Sequence, residues 1–210
     1  MTFLINGRRV SAFRHYAFFR QTLVGGNYEL LDTDTLEPNP DFYVAALFQK
    51  LMGQRVLAVT LAPADPDLHV FAHCAQAGGG AARGGGVGGG VGGEESQAGD
   101  VTFAFINRSP TKTFEIQFGV AGDGGGGGGL RAAAAKRKLE FRLTAANASD
   151  EFSPGVRLNR GPPLRMPGYA TLPELLPQIA AADKATAVDA FSVGFVVVQG
   201  AGAAVCGGTI

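Results

Sequence analysis

Two glycine tracts limit what this chain can fold into. Residues Gly78 to Gly93 are almost pure glycine with Ala, Val and one Arg, and Gly124 to Gly129 is an unbroken glycine run followed by Ala132 to Ala135. Glycine loses more backbone freedom on ordering than any other residue and brings no side chain to bury, so such stretches cannot offset the entropy of becoming ordered. They are expected to be disordered loops between ordered elements, where insertions are tolerated. The core must come from elsewhere. Apolar residues make up 46% of the chain, but many are alanines in low-complexity stretches that bury little area. The 18 basic and 18 acidic side chains cancel, which removes a global electrostatic case for nucleic acid or an anionic membrane surface. No apolar run approaches the roughly 18 residues of a transmembrane span. Arg14, His15 and Arg20 interrupt the stretch after Arg8 and Arg9, so the N-terminus does not read as a signal peptide.

Outside the tracts the pattern changes once, near Gly53. Before it, Gln21 to Val24 is a short strand-like run closed by Gly25-Gly26-Asn27, residues that tolerate positive φ and favour a turn. Asn39 can serve as an N-cap, Pro40 fits the first helical position, and Asp41 suits the positive end of the helix dipole. Tyr43, Leu47 and Leu51 then recur at i, i+4, i+8 and form one apolar stripe, which Gly53 ends. After it come short runs rich in Val, Phe, Leu and Thr: residues 55–61, 68–74, 101–107, 113–120, 139–143 and 191–198. Several alternate with period two, and turn residues such as Arg108-Ser109-Pro110 separate them. Many short strands of this kind predict a mostly β chain and an antiparallel sandwich. The division is therefore placed at residue 53, with residues 54–210 forming the β domain and the tracts at 78–93 and 124–129 as insertions within it.

Few motifs carry chemistry by themselves. The glycine runs match G-x-G-x-x-G, but no strand, helix or downstream acid supplies the dinucleotide-binding context, and no cofactor is predicted. His69 and His73 stand four apart beside Cys74. In a strand that spacing is roughly 13 Å, too long for one ion, so no metal site is predicted. The carboxylates of Asp32, Asp34, Glu37 and Asp41 read as a solvated turn leading into the helix. Arg131, Lys136, Arg137 and Lys138 form a local basic cluster that reads as a solvated linker. Asn107-Arg108-Ser109 and Asn147-Ala148-Ser149 are both acceptor sequons for N-glycosylation. Cys74 and Cys206 are the whole thiol inventory, open to two readings: two unrelated buried thiols or one long-range disulfide.

One segment is specific. Arg20-Gln21-Thr22-Leu23-Val24-Gly25-Gly26-Asn27-Tyr28, continuing through Leu30-Leu31-Asp32 and Pro38-Asn39-Pro40-Asp41-Phe42-Tyr43 to Leu51-Met52-Gly53, closely resembles plant heparanase-like proteins. These belong to glycoside hydrolase family 79. Weaker likeness continues through Ala72-His73-Cys74, residues 101–107 and 139–144, and Phe191 to Cys206. The resemblance implies a (β/α)8 barrel that carries catalysis and a C-terminal β-sandwich. Residues 1–53 would then hold the last strand, loop and helix of the barrel, and residues 54–210 the sandwich. It further implies a sugar-binding role for Gly26, Asn27 and Tyr28, a disulfide between Cys74 and Cys206, glucuronate-containing polysaccharide as substrate, and a secreted or lysosome- or vacuole-like location.

The same resemblance sets an expectation about catalysis. Retaining glycosidases use two carboxylates about 5–5.5 Å apart, and in this family the acid/base glutamate follows Asn and the nucleophile follows Gly, both upstream of the Gly-Asn-Tyr segment. The chain contains no Asn-Glu pair, and its one Gly-Glu pair, Gly93-Glu94, lies downstream in low complexity. Residues 1–19 contain no Glu. The expectation is a truncated portion that is not catalytic alone and whose partner would be the missing barrel. A freestanding carbohydrate-binding or interaction module is the alternative.

Overall fold

The computed structural model describes residues 22–26, 29–76, 96–119, 137–147, 153–166 and 173–207. Both glycine tracts, residues 1–21, Asn27, Tyr28, Arg131 and Lys136 lie outside the described residues. In chain order the elements are helix α1 (Pro40–Leu51) and strands β1 (Met52–Leu57), β2 (Leu68–Ala75), β3 (Val101–Asn107), β4 (Phe114–Ile116), β5 (Arg137–Ala145), β6 (Val156–Leu158), β7 (Gln178–Ala181), β8 (Thr186–Val188) and β9 (Ser192–Gln199), followed by a 3-10 turn at Ala204–Cys206.

The strands form one large antiparallel sheet in the order β1-β2-β3-β9-β5-β6, with β7 also paired to β5. Strand β7 takes Arg137 to Glu140 and β6 takes Leu143 to Ala145, so the two share one side of β5 end to end. A second, two-stranded sheet pairs β4 with β8. The mostly β, antiparallel expectation therefore holds.

Both faces of the large sheet are covered. On one side Tyr43, Val44, Leu47 and Leu51 of α1 pack with Ala104, Ile106, Leu139, Phe141, Phe195 and Val197. On the other, Val101, Phe103, Phe105, Val196 and Val198 meet Ile116, Phe118 and Val188. Every residue of β3 is consequently buried, as are the first seven of β9. This explains why those strands carry apolar residues at almost every position instead of a polar outer face. Each large side chain so buried contributes about 1.5–3 kcal/mol. Gly194, the third residue of β9, has no room for a side chain: a Cβ would lie 2.6 Å from the Phe141 carbonyl oxygen and run into the Phe105 ring.

Several sequence expectations shift in detail. The helix forms over Pro40–Leu51 and passes into β1 at Met52 with no loop, so Gly53 lies inside a strand and does not terminate the helix. Its glycine has a packing reason, since a Cβ there would sit 2.5 Å from the Cys74 carbonyl oxygen. Asn39 occupies the N-cap position in extended conformation, but its side chain makes no cap hydrogen bond and instead donates to the Glu29 carbonyl oxygen at 3.0 Å. Among the described residues of the run at 113–120 only Phe114–Ile116 form a strand, and Leu23 and Val24 lie in a bend with no strand at Thr22 to Val24.

Candidate functional site

The loop before α1 is organised by one carboxylate. Glu29 Oε2 accepts hydrogen bonds from the backbone N–H of Gly25 (2.7 Å) and Gly26 (2.9 Å) and from the Thr33 hydroxyl, while Oε1 accepts from Thr33 N–H at 2.7 Å. Gly25 adopts φ +85°, the left-handed region that glycine takes at least cost. The Thr33 hydroxyl, with the Gly26, Thr33 and Gly25 amides, lowers the Glu29 pKa to about 2. A carboxylate so saturated stays ionised and organises the turn; it cannot supply a proton as a general acid at ordinary pH. Asp32 acts in a similar way, with one oxygen accepting from the Asp34 and Thr35 amides and the Thr35 hydroxyl. Those bonds, the Thr35 hydroxyl first, lower its pKa. Glu37 accepts from the Met166 amide at 3.2 Å. Of the three expected sugar contacts, Gly26 sits in this turn with its N–H held by Glu29, and Asn27 and Tyr28 lie outside the described residues.

The two cysteines form a disulfide. Cys74 on β2 is bonded to Cys206 in the 3-10 turn across a sequence separation of 132, with Cα atoms 5.3 Å apart. His69 and His73 share β2, and the His73 ring is engaged by the backbone, its Nδ1 lying 2.6 Å from the Gly53 carbonyl oxygen.

The two sequon asparagines sit in different surroundings. Asn107 is fully buried, its amide nitrogen donates to the carbonyls of Lys112 (2.7 Å) and Asp189 (2.8 Å), and its Oδ1 accepts from Ser109 N–H. The triplet read as a sequon is a turn device, and a glycan on that nitrogen is incompatible with this packing. Asn147, beyond the end of β5, is exposed.

The basic cluster is corrected in part. Arg137 is exposed and bonds Gln199, but Lys138 is only 1% exposed. It belongs to a buried row on β5, with Glu140 and Arg142, that faces the second sheet. Lys138 Nζ lies 2.9 Å from Glu140 Oε1, which also accepts from the Thr186 hydroxyl of β8 at 2.7 Å. Lys138 further donates to Thr186 Oγ1 at 2.6 Å, and Arg142 donates to the Gln178 side chain. Neither this row nor Glu29 stood out in the sequence. The row alternates with Leu139, Phe141 and Leu143, the usual signature of a solvated strand face.

These features define the chain as a mostly β protein carrying a glycine-turn loop and a long-range disulfide, and relatives share its sequence. No family model matches the chain. Heparanase from Mus musculus is 30% identical over 191 residues, covering 89% of this chain and 30% of the relative. Baicalin-beta-D-glucuronidase from Scutellaria baicalensis is 48% identical over 63 residues (30% of this chain, 12% of the relative), and heparanase-like protein 1 from Arabidopsis thaliana 52% over 59 residues (28% and 11%). The chain belongs to the heparanase-like proteins of glycoside hydrolase family 79, and it spans under a third of the length of the relatives it matches. A GH51 alpha-L-arabinofuranosidase from Thermotoga petrophila aligns with TM-score 0.29 and 12% identity over 64% of this chain and 19% of its own, too slight a likeness to bear on the fold. Among the described residues, no helix is long and apolar enough to cross a membrane.

Proposed function

We propose that this chain is the C-terminal portion of a heparanase-like glycoside hydrolase acting on β-glucuronidic bonds, and that it does not catalyse hydrolysis alone. In this reading residues 1–53 are the last strand, loop and helix of a (β/α)8 barrel and residues 54–210 are its β-sandwich. The observation that carries it is the match to heparanase along 89% of this chain but only 30% of the relative. The absence of an Asn-Glu pair supports the second half of the proposal, because a retaining mechanism needs two positioned carboxylates. Gly26, Asn27 and Tyr28 would line the sugar cleft, Asn27 with an amide and Tyr28 with a ring face and a phenol suited to sugar hydroxyls. The substrate class is glucuronate-containing polysaccharide, in keeping with relatives named as glucuronidase, heparanase and hyaluronoglucuronidase. A secreted or lysosome-like location suits that class and the Cys74–Cys206 disulfide, and Asn147 is the acceptor for an N-glycan there.

The alternative, a freestanding carbohydrate-binding or interaction module, draws on the fact that both faces of the large sheet are covered within this chain. Calorimetric titration of the folded chain with hyaluronan oligosaccharides separates the two. An incomplete cleft gives no saturable heat, whereas saturable binding without turnover would favour the freestanding module.

A further inference from the structure

Among the described residues, one buried titratable group has a half-satisfied ring and sits at a junction between elements. His73 is 4% exposed on the α1 side of β2. Its Nδ1 lies 2.6 Å from the Gly53 carbonyl oxygen. A carbonyl only accepts, so Nδ1 carries the proton and Nε2 carries the lone pair. Nε2 is buried with no hydrogen-bond partner. The Phe48 ring of α1 meets the imidazole edge-on, with centroids 6.0 Å apart.

This ring sits where α1 turns into β1. Gly53 is the second residue of β1, packed without clearance on the Cys74 carbonyl. Leu51, the last residue of α1, takes hydrogen bonds on its carbonyl from Thr102 Oγ1 (2.8 Å) and from Gln76 N–H (3.0 Å). Thr102 is in turn the cross-strand partner of His73, and Val56 of β1 is its partner on the other side. The helix–strand junction, the imidazole and the disulfide strand are therefore one packed unit.

We infer that neutral His73 is an acid-sensitive latch on the α1–β1 junction: protonation at Nε2 places an unpartnered cation inside it and releases the helix from the sheet. Among the described residues, no carboxylate figures among the causes that set the His73 pKa, which are burial and the Gly53 hydrogen bond. Strand β1 brings Arg55 and the end of α1 brings Lys50, both cations, and the carboxylate near this end of the helix, Glu174, acts on Lys50. Strand β3 brings no titratable residue. The carboxylate of α1, Asp41, is in its first turn, roughly two turns before Phe48. Asp100, just before β3, has its oxygens engaged by Gln97 N–H and Gly200 N–H. Desolvation outweighs the Gly53 hydrogen bond and lowers the His73 pKa from 6.5. The unfolded chain then takes up the proton before the folded chain does, so stability is full above that value and falls as pH drops through it, by up to about tenfold in the folding equilibrium per pH unit.

Urea titrations of the full 210-residue chain between pH 7.5 and 4.5 test this, alongside His73→Gln, His73→Phe and ring NMR of the folded wild type. The expected result is a wild-type midpoint that falls below pH 6.5 more steeply than that of either variant, with the His73 ring still neutral in the folded chain at pH 6.5. A His73 ring that titrates at an ordinary value in the folded chain would overturn the latch, as would a pH slope that both variants retain. Should one variant fail to fold, the other variant and the ring titration still decide.

Discussion

Replacing Glu140 with alanine is expected to destabilise the folded chain by about 3–5 kcal/mol, the usual cost of removing one partner from a buried ion pair. The reason lies in what would remain. Lys138 and Arg142 flank Glu140 on the same face of β5, with side chains 1% and 8% exposed, and Glu140 supplies the carboxylate between them. The Lys138 ammonium would keep the Lys184 carbonyl and the Thr186 hydroxyl but lose its counter-charge. Arg142 Nε, which has no hydrogen-bond partner and lies 3.8 Å from Glu140 Oε2, would lose its nearest negative group. Thr186 would lose its acceptor, loosening the contact between the two sheets. Urea denaturation midpoints measure the loss. Because desolvation offsets much of the attraction in such a row, the triple change Lys138→Met, Glu140→Leu, Arg142→Met is expected to cost less than Glu140→Ala alone. A single variant as stable as wild type would mean that water or a mobile second sheet already screens the row.

The second large effect is expected at the disulfide. Cys206→Ser is predicted to lower stability by about 2–5 kcal/mol, since the bond closes a loop of 132 residues and such loops lose the most entropy in the unfolded chain. Both glycine tracts lie inside that loop, where glycine makes the unfolded chain freer still. The bond holds the last turn against β2, and nearby the Gly99 amide donates to the Cys206 carbonyl. Thermal unfolding with and without a thiol reductant should show the same loss in wild type and no reductant effect in the variant. Equal transitions under both conditions would place the stability of the fold in the sheet alone.

What the sequence disclosed and what it hid divide along physical lines. The stripe Tyr43, Leu47, Leu51 and the Pro40 start were readable because a helix repeats its signal over several turns. Strand β3 was readable to the residue, bounded by turn chemistry at Arg108 to Pro110. Strands β6, β7 and β8 were not, because three or four residues carry too little pattern to separate from loop. The Lys138-Glu140-Arg142 row stayed hidden for a different reason. Alternating charge looks solvated from one strand, and only the second sheet, brought back from β8 far along the chain, makes it interior. The setting of Asn107 was hidden likewise, since a sequon is a three-residue pattern and burial by Asp189 is a long-range fact. The Gly25-Gly26 turn was legible, but its anchor was not: Glu29 acts through bonds that only the folded loop brings together.

In the proposed reading this chain holds the family's C-terminal part and lacks the pair of catalytic glutamates. Hydrolysis of a chromogenic aryl β-glucuronide by the purified chain separates this reading from an active enzyme, with folding confirmed in the same sample by circular dichroism. No turnover above background is expected from folded material. Turnover that disappears when one carboxylate of this chain is replaced by its amide would overturn the reading and identify a catalytic group among the residues present.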